Sequence, residues 1–259
     1  MEKERSRAIA ENSLKLALSA IAVFLSVWLL IGVEAEPGIA YDAANTAHAA
    51  INAIASGETL DMAAVTQAMV ASFAEGRAGN EDTVGWLLIP NICYYPIMYS
   101  GVYDYYLTHD SQRAISAQGA IFINYQCEPR FDSTLTLIHG HNMKNAAMFG
   151  RLEEYLGEDF FRKNSPIIIY DGKYIRTYKP FTAVLLEENN DVIDARESSE
   201  AERTSYIRSM YERSACKMAE GEEPDFTSPV LFFSTCNYSF SEARLLVGAY
   251  LTGMEEVGG

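Results

Sequence analysis

Positive charge is scarce in this chain. Its 259 residues hold 20 Lys and Arg against 35 Asp and Glu, a formal net charge of −15. That balance speaks against nucleic-acid binding, which needs basic patches along the phosphates, and against docking on anionic lipid by charge. Cysteine is scarce too. Cys93, Cys127, Cys216 and Cys236 include no Cys-x-x-Cys pair, so zinc is not expected. A Cys93–Cys127 bridge is conceivable outside the cell; the other reading makes Cys93, Cys127 and Cys216 small buried residues. The acidic residues lack the spacing of a calcium loop, and no metal or cofactor is expected. There is no internal repeat and no low-complexity tract. What remains is an ordinary globular mixture, 49% hydrophobic, long enough for one sizeable domain and an appendage.

Long uncharged runs are equally rare. One of them, residues 16–33, is long enough to cross a bilayer as a helix. Lys3, Arg5, Arg7 and Lys15 precede it, and Glu34 and Glu36 follow it. This asymmetry predicts a cytoplasmic segment 1–15, a single-pass anchor 16–33 and an extracellular remainder. A small-residue cleavage site is missing, because Ala35 sits between glutamates.

Glu36-Pro37-Gly38 breaks the anchor. An alanine-rich segment, 41–56, has helical periodicity. Thr59-Leu60-Asp61 can cap a second helix running to about Glu75, with 76–81 as a loop. Residues 37–80 thus read as a helical extension, or as a stalk that spaces the domain from the membrane. From Val84 onward strand signals dominate, at 86–89, 94–99, 120–123, 135–138, 167–170, 174–181, 183–187, 230–234 and 245–251. Asp171-Gly172 marks a hairpin turn. Short helices are expected within 148–161. Ser199-Glu200-Ala201-Glu202 starts a longer helix whose stripe is Tyr206, Ile207, Met210, Tyr211 and Ser214. It is followed by an acidic loop, 220–225. Many short strands with few helices predict a mainly β domain over 81–259, a closed or nearly closed barrel.

The chemistry concentrates where two strands meet. The apolar run 229–235 ends in Cys236, and Arg244 opens the next run. A nearby cation lowers a thiol's pKa and stabilises an oxyanion during acyl transfer. Of the four histidines, His139 and His141 follow a strand-like run, 133–138, while His48 and His109 read as ordinary. Gly140 allows a tight backbone between the two imidazoles. A loop histidine at a strand end suits a general acid or base.

Gly140-His141-Asn142-Met143-Lys144-Asn145 with Met148-Phe149, then Ser234-Thr235-Cys236, then Arg244, resembles the class B sortases. These are membrane-anchored cysteine transpeptidases of Gram-positive bacteria. Weaker matching pieces are Val84 to Pro90, Tyr95-Pro96-Ile97, Tyr106-Leu107 and Gly119-Ala120-Ile121-Phe122, so the likeness runs from about Asp82 to Leu251. The resemblance implies an eight-stranded sortase-type barrel, N-terminal helices, and a long helix before the cysteine strand. It implies Cys236 as nucleophile, His141 as acid and base, and Arg244 as third member. His139 is then a rim or packing residue. Ser234 and Thr235 line the substrate groove or pack within the strand. Many class B members are acidic just past the cysteine. Asn237 stands there, which speaks against a Cys-His-Asp triad and leaves Cys-His-Arg. Asn124-Tyr125, at the end of another strand, replaces a further acidic position and has no assigned function. The implied partners are surface proteins bearing a C-terminal sorting signal and an amine of the peptidoglycan precursor.

Two other classes stay open. Papain-like and NlpC/P60 cell-wall cysteine peptidases usually place Cys before His, often on a helix, whereas here His141 precedes a strand cysteine. A non-catalytic, membrane-anchored binding module requires Cys236 to be inert.

Overall fold

Continuous runs of buried strand residues, such as 135–138 and 167–170, supply the interior around which this chain closes a sheet on itself. The computed structural model describes residues 61–163, 166–186, 193–219, 221–236 and 244–257, with Cys236 described by its backbone alone. The expected anchor 16–33 and the helix expected over 41–56 lie outside the described residues. Among the described residues no helix is long and apolar enough to cross a membrane.

The order begins with helix α1 (Met62–Gly79) and strands β1 (Thr83–Ile89), β2 (Cys93–Met98), β3 (Ile121–Ile123) and β4 (Leu135–His139). Helix α2 (Glu158–Lys163), β5 (Ile167–Tyr170) and β6 (Tyr174–Leu186) follow. Helix α3 (Glu200–Glu212), β7 (Cys216–Lys217), β8 (Val230–Cys236) and β9 (Arg244–Glu256) complete it. The spatial order β5-β1-β2-β3-β4-β8-β9-β6, with β6 pairing back onto β5, closes an eight-stranded barrel. Closure leaves no edge strand among the eight. Strand β7, a short addition the sequence did not suggest, pairs with β6 at Thr182 and Ala183, beyond the stretch 175–178 that β5 takes. Most neighbours are antiparallel; β2–β3 and β4–β8 are parallel.

Two sequence expectations need correction. The runs 174–181 and 183–187 form one strand, β6, because register shifts near Tyr178 and between Pro180 and Thr182 carry the ladder with β9 past the proline. Helix α1 starts as expected, with Asp61 accepting from the backbone of Ala63 and Ala64. It continues past Glu75, however, to Gly79. Arg77 secures its end by donating to the carbonyls of Thr83 (2.7 Å) and Glu81 (3.2 Å).

The main core packs Phe149, Phe181, Phe232, Phe233, Tyr155 and Tyr178 with the aliphatic faces of the strands. Cys93, Cys127 and Cys216 are free and buried, so no Cys93–Cys127 bridge exists. Burial pushes the Cys93 thiol up to about 12 and Cys127 up to about 11, which keeps both protonated and inert. The helix stripe read from sequence is the one that packs: Ile207 and Met210 are buried, and Tyr206 and Tyr211 lie against the core.

The α3 start carries a complete capping box. Ser199 Oγ accepts from the Glu202 N–H, and the Ser199 N–H donates to the Glu202 carboxylate at 2.7 Å. Replacing Ser199 with Ala orphans the Glu202 N–H and is expected to cost about 1 kcal/mol, read as a lower urea midpoint at unchanged slope.

Candidate active site

The ends of β3, β4, β8 and β9 open into one groove of about 450 Å³. Its lining includes Leu107, His139, His141, Ser234, Thr235 and Arg244. Backbone register explains why these groups meet. Parallel pairing sets His139 of β4 opposite Ser234 of β8, and the Gly140 N–H extends the ladder to the Ser234 carbonyl at 3.1 Å. The antiparallel β8–β9 pair sets Cys236 opposite Arg244. Residues far apart in sequence are thereby delivered to one mouth.

The two histidines are in opposite hydrogen-bonding situations. His141 Nε2 lies 2.8 Å from the Leu107 carbonyl oxygen. A carbonyl only accepts, so Nε2 carries a proton and donates, and Nδ1 is the nitrogen left to exchange a proton. For His139 the partner is Asn124, whose Nδ2 lies 2.9 Å from His139 Nε2. Asn124 Oδ1 accepts from the Gln126 N–H at 2.8 Å, which fixes the amide orientation. The Asn124 NH₂ therefore donates, and His139 Nε2 must accept. Burial, and then the positive charge of Arg244, push the His139 pKa down from 6.5 to about 3. His139 is thus a neutral groove residue tied to Asn124, and not merely a rim residue.

Gly140 between them is required by space. A Cβ there would come within 2.7 Å of both Ile121 Cδ1 and the Phe149 ring. The loop after His141 folds back on it: the Phe149 N–H donates to the His141 carbonyl at 3.0 Å, and Asn142 bridges Met148.

Ser234 and Thr235 are buried, and their hydroxyl oxygens have no hydrogen-bond partner among the described residues. Both residues line the groove, and buried atoms of this kind normally find a partner. Tyr103 and Tyr125 form an edge-to-face pair at the lip, ring centroids 5.1 Å apart, with Tyr103 67% exposed. Arg244 is half-buried, and its charge acts on both Tyr103 and His139. A larger cavity of about 1010 Å³ lies between α1 and the ends of β6 and β9. It is lined by residues such as Met62, Val70, Ile175 and Met254, with no histidine or cysteine among its described lining, and so offers no acyl-transfer chemistry.

The chain is similar to known proteins in sequence and in fold. A sortase B from Listeria monocytogenes is 36% identical over 110 residues, which is 40% of this chain and 45% of that protein. The crystal structure of Clostridium perfringens sortase B superposes with a TM-score of 0.62 at 24% identity, covering 70% of this chain and 99% of that one. A Staphylococcus aureus sortase B–substrate complex superposes with a TM-score of 0.61 at 21% identity, covering 71% and 86%. Over those stretches the chain is similar to class B sortases, and its barrel has their fold. The sequence match spans less than half the length of the curated Listeria relative, and no protein-family model matches the chain.

Sequence reading singled out His141, Ser234, Thr235 and Arg244, which the structure brings to one groove. It missed the Leu107 carbonyl, the Asn124–His139 pair and the tyrosine lip. Tyr106-Leu107 and Asn124-Tyr125 were visible as motifs, but a backbone carbonyl leaves no side-chain signature.

The His139 arrangement fixes a pH dependence. The folded chain holds His139 neutral, whereas the unfolded chain protonates it near 6.5. Its contribution to stability is therefore intact above pH 6.5 and is lost progressively as pH falls toward 3. His139→Gln keeps an acceptor for Asn124 and removes the titration. Urea midpoints of the variant should fall less steeply than wild type over this window; parallel curves would show that His139 is not held neutral.

Proposed function

We propose that the chain acts as a sortase. Its reaction is cleavage of a C-terminal sorting motif after Thr, followed by transfer of the acyl group to a cell-wall amine, which anchors surface proteins to peptidoglycan. The observation that carries this reading is the convergence of His141, Ser234, Thr235 and Arg244 in one groove, with Cys236 in register with Arg244. The relatives that share the fold add support, since one was solved as a substrate complex.

In this mechanism His141 Nδ1 takes the Cys236 thiol proton, the thiolate attacks the threonine carbonyl carbon, a C–S bond forms and the carbonyl electrons move onto oxygen. Arg244 stabilises that oxyanion. As the intermediate collapses, the C–N bond breaks and His141 Nδ1 gives its proton to the departing amine, leaving a thioester. An incoming amine then attacks the thioester, His141 Nδ1 takes its proton, the C–S bond breaks and the thiolate returns. The unpartnered hydroxyls of Ser234 and Thr235 hydrogen-bond the sorting peptide. Residues 1–15 are cytoplasmic, 16–33 anchor the chain, 37–80 form a helical extension, and 81–259 act outside the cell. The charge asymmetry around 16–33 supports this placement.

The test is cleavage of a panel of fluorogenic pentapeptides by the full-length chain. Threonine-specific cleavage is expected, abolished by Cys236→Ala. His141→Ala should lower kcat by about a hundredfold or more. Arg244→Ala should lower it by about a hundredfold. A reactive Cys236 that cleaves no threonine peptide would indicate a cysteine hydrolase of another kind. A Cys236 alkylated no faster than the buried Cys93 would indicate a binding module.

A further inference from the structure

The loop that supplies the Leu107 carbonyl is tied to the end of α1. Tyr106 is 1% exposed, in a small cluster with Met98, Ala120 and Phe122. Its hydroxyl donates to Asp82 Oδ2 at 2.7 Å and accepts from Asn80 Nδ2 at 2.9 Å. Asn80 is the residue that caps α1, and its Nδ2 also donates to the Ser111 carbonyl at 2.9 Å. Asp82 is further paired with Arg113 at 3.1 Å. The start of the excursion 107–119, at Tyr106, and its middle, at Ser111 and Arg113, are thus clamped against the α1–β1 junction.

The other side of the clamp is Gly119. The Ala120 N–H donates to the Tyr106 carbonyl at 2.9 Å, which brings Gly119 in against the carbonyls of Tyr106 and Leu107. A Cβ on Gly119 would lie 2.5 Å from Tyr106 O, 2.8 Å from Leu107 O and 3.1 Å from His141 Cδ2. Its φ of +58° adds a second reason for glycine. Nothing larger than hydrogen fits between the Leu107 carbonyl and the imidazole it orients.

We propose that Asn80, Asp82, Tyr106 and Gly119 are positioning residues for His141, and that the end of α1 sets the imidazole's tautomer and aim through the Leu107 carbonyl. The proposal rests on His141 being the acid and base, as inferred above. It gives the helical extension a part in catalysis beyond spacing. A free imidazole populates both tautomers; one held at Nε2 by a fixed carbonyl keeps its lone pair on Nδ1. Loosening the carbonyl returns the choice to solvent.

The deciding measurement is the ¹⁵N spectrum of the His141 ring in the full-length chain, with kcat and KM measured beside it. Wild type should show protonated Nε2 and unprotonated Nδ1 when neutral. Tyr106→Phe keeps the buried ring and removes both hydroxyl links. It should show a tautomer mixture, with kcat about ten- to hundredfold lower at nearly unchanged KM. Gly119→Ala, which pushes directly on the Leu107 carbonyl, should lower kcat at least as far. A wild-type lone pair on Nε2 would overturn the proposal. So would a Tyr106→Phe spectrum and kcat equal to wild type, even with a lower Tm, since that outcome describes a purely structural tyrosine. If the wild-type chain cleaves no peptide, the sortase reading fails while the ring spectra still decide the positioning.

Discussion

The parallel pairing of β4 with β8 is the constraint on which the rest of the site depends. No hairpin can make such a pair, so the chain must travel through β5, β6 and α3 before β8 returns beside β4. Register is then fixed by what lies below the mouth: Leu137 opposite Phe232 and Ile138 opposite Phe233, all buried. A slip of one residue would exchange core and groove faces along both strands, and so is strongly opposed. With that register, His141 lies two residues beyond His139, and Cys236 two beyond Ser234. The β8–β9 ladder adds Arg244 without any further device.

The barrel brings two imidazoles within one glycine of each other, and the chemistry requires that they differ. They are made to differ by partner type. A donor amide from Asn124 forces His139 to accept, and a carbonyl acceptor from Leu107 forces His141 to donate. Keeping His139 neutral is electrostatically consistent, because an imidazolium beside Arg244 in a half-buried groove would face like-charge repulsion at low effective dielectric.

Much of this was legible in the sequence, for identifiable reasons. Strands such as Ile167–Tyr170 announce themselves as short β-branched runs beside Asp171-Gly172, and Ser199 with Glu202 announces a helix start through side chains that do the capping. His141, Cys236 and Arg244 could be singled out as candidates because imidazole, thiol and guanidinium chemistry each needs a particular side chain. Strand β6 was split in the reading because Pro180 ordinarily ends a ladder, and only a register shift against β9 shows how it continues. Strand β7 is two residues long and owes its existence to the edge of β6. The Leu107 carbonyl, the closure between β5 and β6, and the burial that holds His139 neutral all arise from distant segments meeting, which local periodicity does not encode.

Conformational cost is placed where binding can offset it. Ala146 and Met148, in the loop that folds back on His141, have φ of 66° and 54°, and left-handed backbone costs a residue with a side chain about 1–2 kcal/mol. Ser234 and Thr235 supply two of the four buried side-chain polar atoms left without a partner among the described residues; the others belong to Trp86 and Arg203. An unsatisfied buried hydroxyl costs about 1–3 kcal/mol. A barrel sealed by Phe232, Phe233 and Phe181 can carry such deficits, since its strands cannot relax toward them without opening the core. Under the proposed sortase reading, a peptide that satisfied both hydroxyls would recover that energy only when seated beside His141 and Arg244, so the rigidity of the barrel would favour a correctly placed backbone.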